Sequence, residues 1–545
     1  MLRSEGSDRR ALQRPEKPNA SRIEGIGVIL RNRVALPILL LLFALLGWSN
    51  AHHWDEYFYL YSSYLHAPGD LLRYELQSTI FPPGFFTEKI GHVVLLRLLT
   101  MGLGAGEHVL YGIEVLYTLF LVGYLWASYK LLQELFGADE AGASTLVLMF
   151  SPVTLYLAYK ILSESPSLFF ITLGSWMFVR SFRARSAAAG RTALCLASLL
   201  LALGTLCRIP SILGFAGLGV ALLLVEQPGL ERGRLLSRLV VLGLGVGALY
   251  VVVLVGLGGD PLRVVGGVHQ VLTTHPPLER AFALAGFLQT FALVLPFAWA
   301  ERSRPEVRFA TVWLVCAALP FLAGHESRYY APALIPFAVL SAVGFRRAAG
   351  RLMGARAARN AWVGMFAALV LVNRILIIPL MPYEVEQGQL LSLFHRLQAQ
   401  TPGATILLPW ISDYSLLRFS SPASRVDLSL SEMPGSRISA DRYRGQLPAA
   451  DRWWAGAERY VGSEKRLAAE PHPWEYVGWT YNPADLKLLG ILARLGFQPP
   501  SGARLHNHLT GSWIWSDPRL SLQLSLRSGP YYVYQVGTGR SGHST

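Results

Sequence analysis

Charge is in short supply in this sequence. Only 15% of its 545 residues are Asp, Glu, Lys or Arg, where a soluble domain carries about a quarter. That deficit excludes an ordinary soluble enzyme over most of the length. Cysteine is scarce as well. The three present are Cys195, Cys207 and Cys316. Each falls in an apolar run, which argues against a disulfide framework and for free thiols. No internal repeat of fixed period is found. The short alternating segments of a membrane β-barrel are missing too. Basic residues are plentiful, giving a net charge of +14. They are not interleaved with aromatics, so they do not point to nucleic acid.

Apolar runs are what the sequence has instead. Hydrophobic residues make up 52% of the chain, and the mean hydropathy is +0.36. Many runs approach the ~20 residues that a helix needs to cross a hydrocarbon core about 30 Å thick. Spans are predicted near 34–50, 107–133, 142–158, 165–181, 193–207, 211–226, 239–257, 282–300, 309–324, 331–345 and 361–380, about eleven in all. The fold class is therefore an α-helical polytopic membrane protein. With the basic N-terminus in the cytoplasm, the loop near Glu134 to Ala141 is acidic. The later cytoplasmic loops hold Arg183, Arg185 and Arg191, then Arg232, Arg234 and Arg238, then Arg302, Arg304 and Arg308. The last holds Arg346, Arg347, Arg351, Arg356 and Arg359. Every basic cluster lands on one side, as the positive-inside rule requires.

Residues 1–33 read as a basic cytoplasmic tail. That tail is long for the n-region of a signal peptide, so the first span is taken as an uncleaved anchor. The transmembrane region is 34–380, with a long first outer loop at 51–106. Within that loop, GDLLRYELQSTIFPPGFFTEKIGHVVLLRLL has apolar residues at helical spacing and charges throughout. It reads as one or two amphipathic helices in the interface; a further span between about 90 and 104 is the alternative. From 381 to 545 the character changes to a soluble extracytoplasmic α/β domain. EQGQLLSLFHRLQAQ and DLKLLGILARLGF read as helices, and ATILLPW, SWIW, LSLQLSL and YYVYQV as strands.

The outer side collects charges that orientation does not require. They are Asp55, Glu56, Arg73, Glu75, Lys160, Glu164, Arg208, His269, His275, His325, Glu326 and Arg328, each at or just past the end of an apolar segment. A helical bundle brings many of them to one rim. Carboxylates there suit proton transfer from an attacking hydroxyl, and Arg, Lys and His suit a phosphate that gains charge as it leaves. Plainer roles stand beside these. Asp55 and Glu56 can be interfacial charges, Arg208 can snorkel, and Lys160 and Glu164 are spaced to pair on a helix face. Trp453, Trp454, Trp474 and Trp479 can stack on a glycan or pack a core. The Asp-Glu and His set lacks helical metal-ligand spacing, so neither a metal site nor another cofactor is predicted, and spacing alone leaves a divalent ion open.

These residues carry a resemblance. HHWDEYF after the first span resembles the Asp-Glu motif in the first outer loop of GT-C superfamily glycosyltransferases. Among these, the polyprenyl-phosphate-mannose-dependent mannosyltransferases have a similar His-x-Asp-Glu, matched here by His53, Asp55 and Glu56. ELQSTIFPPGFF resembles the stretch that follows the motif. HESRYYAPALIP, with His325, Arg328, Tyr329 and Pro332, resembles the late outer loop. His and Arg stand one residue closer here, and Glu326 replaces the usual Lys. The resemblance covers roughly residues 30–380 as architecture. It implies an inverting membrane glycosyltransferase using a polyprenyl-phosphate-linked hexose, mannose first, and a glycan, lipid or protein acceptor. Asp55 is then the base or the carboxylate that orients the acceptor, with Glu56 its support. Arg328, Arg208 and Lys160 are phosphate contacts, and His53, Arg73, Glu75, His269, His325 and Tyr329 further substrate contacts. The segment near 70–104 borders the lipid's entry path.

The rival is a transporter or flippase for a lipid-linked sugar. Transporters place ionisable groups near the bilayer midplane, whereas these gather at one rim. The Arg, Ala, Leu and Gly bias leans toward a bacterial inner membrane, with the endoplasmic reticulum as the eukaryotic counterpart.

Overall fold

The computed structural model describes residues 35–49, 51–77, 84–184, 186–225, 231–263, 277–323, 326–377, 385–403, 405–408, 411–428, 457–463, 475–476, 504–505, 520–528 and 531–538. The chain enters as α1 (Ala35–Gly47), then a two-residue strand β1 (Ala51–His52), then α2 (Trp54–Leu65), α3 (Pro68–Gln77) and α4 (Ile90–Leu103). Next come α5 (Glu107–Phe136), α6 (Ala138–Met149), α7 (Pro152–Leu157), α8 (Glu164–Phe182), α9 (Ala187–Cys207), α10 (Ile212–Leu224) and α11 (Arg232–Gly256). The helical region closes with α12 (Pro277–Leu288), α13 (Leu295–Trp299), α14 (Pro305–Ala318) and α15 (Leu334–Val372).

Among the described residues, five helical stretches are long and apolar enough to cross a membrane: Glu107–Phe136, Ala187–Cys207, Arg232–Gly256, Pro305–Leu322 and Ser327–Met353. Shorter apolar helices are Leu36–Gly47, Ile209–Leu224, Ala283–Trp299 and Ala361–Ile375. Val240, Val241, Leu244, Val251, Val252 and Val255 are exposed along α11, as lipid-facing residues are. Eleven uninterrupted spans are not what these helices form. The expected span at 142–158 is broken where Ser151 caps a new helix and Pro152 starts it. The pieces, α6 and α7, have 12 and 6 residues, too few to cross alone. They lie buried inside the bundle instead, where irregular backbone is tolerated.

The possible span near 90–104 is α4, with 14 residues. At 1.5 Å per residue it reaches about 21 Å, short of the core. Ile90, Val93 and Leu96 are buried while Leu98, Met101 and Leu103 are exposed, an amphipathic division.

α15 runs helically for 39 residues, straight through the arginine-rich stretch expected as a loop. A straight helix would hold Phe345 and Phe366 about 31 Å apart. Their ring centroids lie 5.4 Å apart, and Phe291 touches both rings. The helix is therefore not straight between them.

The two ends of the bundle differ in charge chemistry. At one end Glu140 takes Arg304 at 3.2 Å and also Arg346. Nearby pairs join Glu134 to Arg183 at 2.7 Å and Glu301 to Arg347 at 2.9 Å. The acidic loop near 134–141, uninformative as sequence, supplies counter-charge to three of the basic clusters. The motif residues gather at the other end.

After residue 385 come β2 (Val385–Glu386), α16 (Gln387–Gln400), β3 (Thr405–Leu408), α17 (Ile411–Ser420) and β4 (Val426–Leu428). Further strands are β5 (Ala457–Ser463), β6 (Glu475–Tyr476), β7 (Arg504–Leu505), β8 (Leu520–Ser528) and β9 (Tyr531–Thr538). Five form a mixed sheet in the order β4-β3-β5-β9-β8. The expected elements at 386–400, 404–410, 520–526 and 531–536 thus coincide with observed ones, while SWIW and DLKLLGILARLGF lie outside the described residues. α17 was not foreseen. Tyr414 and Phe419 on it stack edge-on against Tyr61 and Tyr64 of α2. Leu390, Phe394, Leu408 and Leu416 share one buried cluster with Tyr57, Leu60 and Ile90. β2 pairs antiparallel with β1, Ala51 opposite Glu386 and His52 opposite Val385. This region and the segment from β1 to α4 therefore share a core.

Candidate active site

The site starts at the N-terminus of α2. His53 is the N-cap in extended conformation. Glu56, three residues on, accepts from the His53 backbone N–H at 2.8 Å, the returning half of a capping box. The same carboxylate accepts from the Ile161 N–H at 2.9 Å and from His52 Nδ1 at 3.1 Å. Glu56 is wholly buried. Burial opposes its charge, but His52, Lys160 and the His53 N–H hold its carboxyl below the usual value. Burial, aided by Lys160, pushes His52 down to about 4.

Asp55 faces the other way. Its Oδ1 receives His53 Nδ1 at 2.5 Å. Arg328 approaches Oδ2 at 3.1 Å and Oδ1 at 3.4 Å, and Lys89 Nζ lies 3.4 Å from Oδ2. Asp55 is 3% exposed, and burial resists its ionisation. Arg328, His53 and Lys89 outweigh burial and hold its carboxyl well below the usual range. Burial and Arg328 push His53 down, yet Asp55 and Glu326 outweigh them and raise it to about 10. Glu326 also pairs with Arg328 and stands 3.6 Å from His53 Nε2. These rim residues form a buried, ion-paired cluster.

A raised histidine gives a pH test. The stability from protonated His53 is complete below the unfolded value near 6.5 and is lost as pH rises through about 10. Between pH 6.5 and 10 the thermal midpoint should fall further for the wild-type protein than for His53→Gln in the same detergent. Parallel curves would show that His53 carries no proton-linked stability.

The third arm comes from the α8–α9 hairpin. A Cβ on Gly174 would sit 2.8 Å from Leu201 Cγ, and one on Gly204 2.7 Å from Ile171 Cγ1. Only glycine permits that approach. Ser167 Oγ donates to the Gly204 carbonyl at 2.7 Å. The close crossing sets the start of α8 beside the end of α9, so Glu164 meets Arg208 at 3.3 Å, with Arg328 Nε 3.6 Å away. Tyr329 lies under both guanidiniums, at 5.1 Å from Arg208 and 5.8 Å from Arg328.

Lys160 reaches the cluster from the opposite side. Tyr159 has a left-handed φ of 60°, strained for a residue with a side chain. That turn follows α7 and directs the Ile161 N–H at Glu56. Lys160 donates to the Ser49 carbonyl at 3.3 Å. Burial lowers its pKa, while Glu56 and Glu114 act to raise it. It therefore lies within the field of the Glu56 and Glu114 carboxylates. Its spacing to Glu164 is not a helix face, because α8 begins only at Glu164.

His53, Asp55, Glu56, Arg208, Arg328 and Tyr329 come together, joined by Glu164 and Glu326. Arg208 is buried and paired rather than snorkelling. Arg73 does not join them; its side chain is 66% exposed and pairs with Asp70 at 2.5 Å. Glu75 is buried and given over to backbone amides at 84–87, so it is corrected from a substrate contact to a structural ligand. His269, His275, His325, Trp453, Trp454, Trp474 and Trp479 lie outside the described residues. Lys89 was missed. Its signal is a lysine where FPPGFFTEK gives way to an apolar helix, visible only once that helix is known to abut the Asp-Glu motif.

The fold of this chain is similar to that of ArnT from Cupriavidus metallidurans. The apo structure of that protein matches with a TM-score of 0.52 at 14% identity, over 92% of this chain and 97% of that one. The structure bound to undecaprenyl phosphate matches with a TM-score of 0.53 at 14% identity, over 92% and 96%. At this identity the likeness is one of fold. No protein-family model matches the sequence, and no curated protein matches it significantly.

Proposed function

We propose that the chain is an inverting membrane glycosyltransferase that moves a hexose from a polyprenyl-phosphate carrier to a hydroxyl on the extracytoplasmic face. The observation that carries this reading is Asp55, buried and held between Arg328, Lys89 and His53. The same cations suit two anions in turn. Without donor they neutralise Asp55. With donor, a phosphate near Arg328 and Lys89 would draw them away, raising the basicity of Asp55 as the acceptor arrives. Asp55 would take the hydroxyl proton while the oxygen attacks the anomeric carbon, and the cations would stabilise the leaving lipid phosphate. Glu56 would hold α2, the strained turn and His52 in place. The fold shared with a protein crystallised with undecaprenyl phosphate supports a lipid-phosphate donor. Mannose as the hexose rests on the motif resemblance alone.

In this reading 34–380 is the catalytic membrane region, its eleven passes including the broken α6–α7 pair. Residues 381–545 form an extracytoplasmic domain docked on the first outer loop. The arginine clusters face the cytoplasm, in a bacterial inner membrane by composition. The flippase alternative draws less support, because the ion-paired groups meet at one end of the bundle.

The test is incubation of the purified protein with a panel of polyprenyl-phosphate sugars, scoring release of the lipid phosphate and transfer to added acceptors. Turnover of one hexose donor is expected. Movement of lipid-linked sugars across vesicles without turnover of any donor would reject the transferase in favour of the flippase.

A further inference from the structure

Lys89 has no obvious support of its own. It ends a short 3-10 turn, Thr87–Lys89, before α4. Yet its ammonium lies 3.4 Å from Asp55 and 4.7 Å from the Tyr59 ring centroid, and its side chain is 13% exposed. A flexible four-carbon side chain keeps such a place only if its backbone is fixed.

The backbone before it is fixed from several directions. Glu75 on α3 accepts from the Gly84 N–H at 2.7 Å, the Phe86 N–H at 2.8 Å and the Thr87 N–H at 2.9 Å. Thr87 Oγ1 adds contacts of 3.2 Å to both carboxylate oxygens. The carboxylate thus satisfies amide donors that a helix start leaves without partners. Gly84, with φ of 89°, makes the left-handed turn that brings these amides together. Tyr59 donates to the Phe85 carbonyl at 2.8 Å and Tyr250 to the Thr87 carbonyl at 3.1 Å. Glu75 is anchored in turn. Arg263, just past α11, donates to the Glu75 and Leu76 carbonyls at 3.0 and 2.9 Å, where the last turn of α3 leaves acceptors free.

We propose that Glu75 is a positioning residue: it clamps the backbone of 84–87 and so fixes Lys89 against Asp55, with Arg263 holding the clamp to α11. The proposal rests on reading Asp55 as the base. The chain of contacts itself does not depend on that reading. Glutamine at 75 has nearly the same shape, but its amide nitrogen would face backbone N–H donors. The clamp should loosen and Lys89 should leave its place.

Two measurements test this on the full-length protein. The first needs no substrate. The rate of Lys89 acylation by an amine reagent, followed by mass spectrometry, should rise at least about tenfold in Glu75→Gln, because a held, ion-paired lysine reacts slowly. Arg263→Met should raise it in the same direction by less, and serves if Glu75→Gln does not fold. The second is a double-mutant cycle on transfer. Glu75→Gln should lower kcat about tenfold or more, since misplacing a catalytic group by ~1 Å can cost as much as 10²-fold. In a Lys89→Met background it should lower kcat little further. Unchanged Lys89 reactivity in both variants, or additive losses in the cycle, would overturn the proposal. If the wild-type protein turns over no donor, the transferase reading falls, and Lys89 reactivity alone decides the clamp.

Discussion

Asp55→Asn should abolish most transfer, lowering the rate per folded molecule by at least about 100-fold, because the amide cannot accept the hydroxyl proton. Taken as an interfacial charge, Asp55 would be replaceable with little effect on folding. The structure changes that expectation. Asp55 is buried between Arg328, Lys89 and His53. Losing one member of a buried ion pair costs on the order of 3–5 kcal/mol, since the partner charges are left uncompensated. Asp55→Asn should therefore also lower the thermal midpoint. Glu56→Gln gives the contrast. Glu56 binds three donors and joins β1, α2 and the Tyr159 turn, so its substitution should lose folded protein more than specific activity. Rates must be normalised to monodisperse protein in the same nanodisc. Asp55→Asn turning over donor at the wild-type rate would remove Asp55 as base.

Arg328→Ala is expected to have the second large effect. Arg328 reaches Asp55, Glu326 and Glu164, so it is the point where the start of α2, the segment before α15 and the α8–α9 hairpin are joined. Donor saturation should be lost, because a charge-assisted contact to phosphate is about twice as strong as a neutral hydrogen bond. A loss of stability of ~3–5 kcal/mol should accompany it. Arg328→Lys should recover stability better than activity, since an ammonium restores the charge but not the planar fork. Arg351→Ala, beside Phe297 and in the opposite basic cluster, should change neither. Equal, small effects of Arg328→Ala and Arg351→Ala on donor saturation would demote Arg328 to an interfacial anchor.

The sequence by itself determined the environment and the poles of this protein. Apolar runs near bilayer length have few other stable fates, and the arginine clusters mark one of the two ends. The Asp-Glu pair after the first span and the arginine of the late outer loop were legible because span ends bring such residues to one end. Pairing was decided only by tertiary structure. That Asp55 meets the cations while Glu56 turns inward follows from helix capping at His53, which sends adjacent side chains in different directions. That 142–158 breaks, and that Tyr159 takes a strained turn, follows from Ser151-Pro152 and from Glu56 accepting the Ile161 N–H, a contact 105 positions apart. Glu75 and Lys89 share no local signal. One became a backbone clamp and the other a neighbour of Asp55 because α3, α4 and the end of α11 converge there, and convergence of distant segments is not written in periodicity or composition.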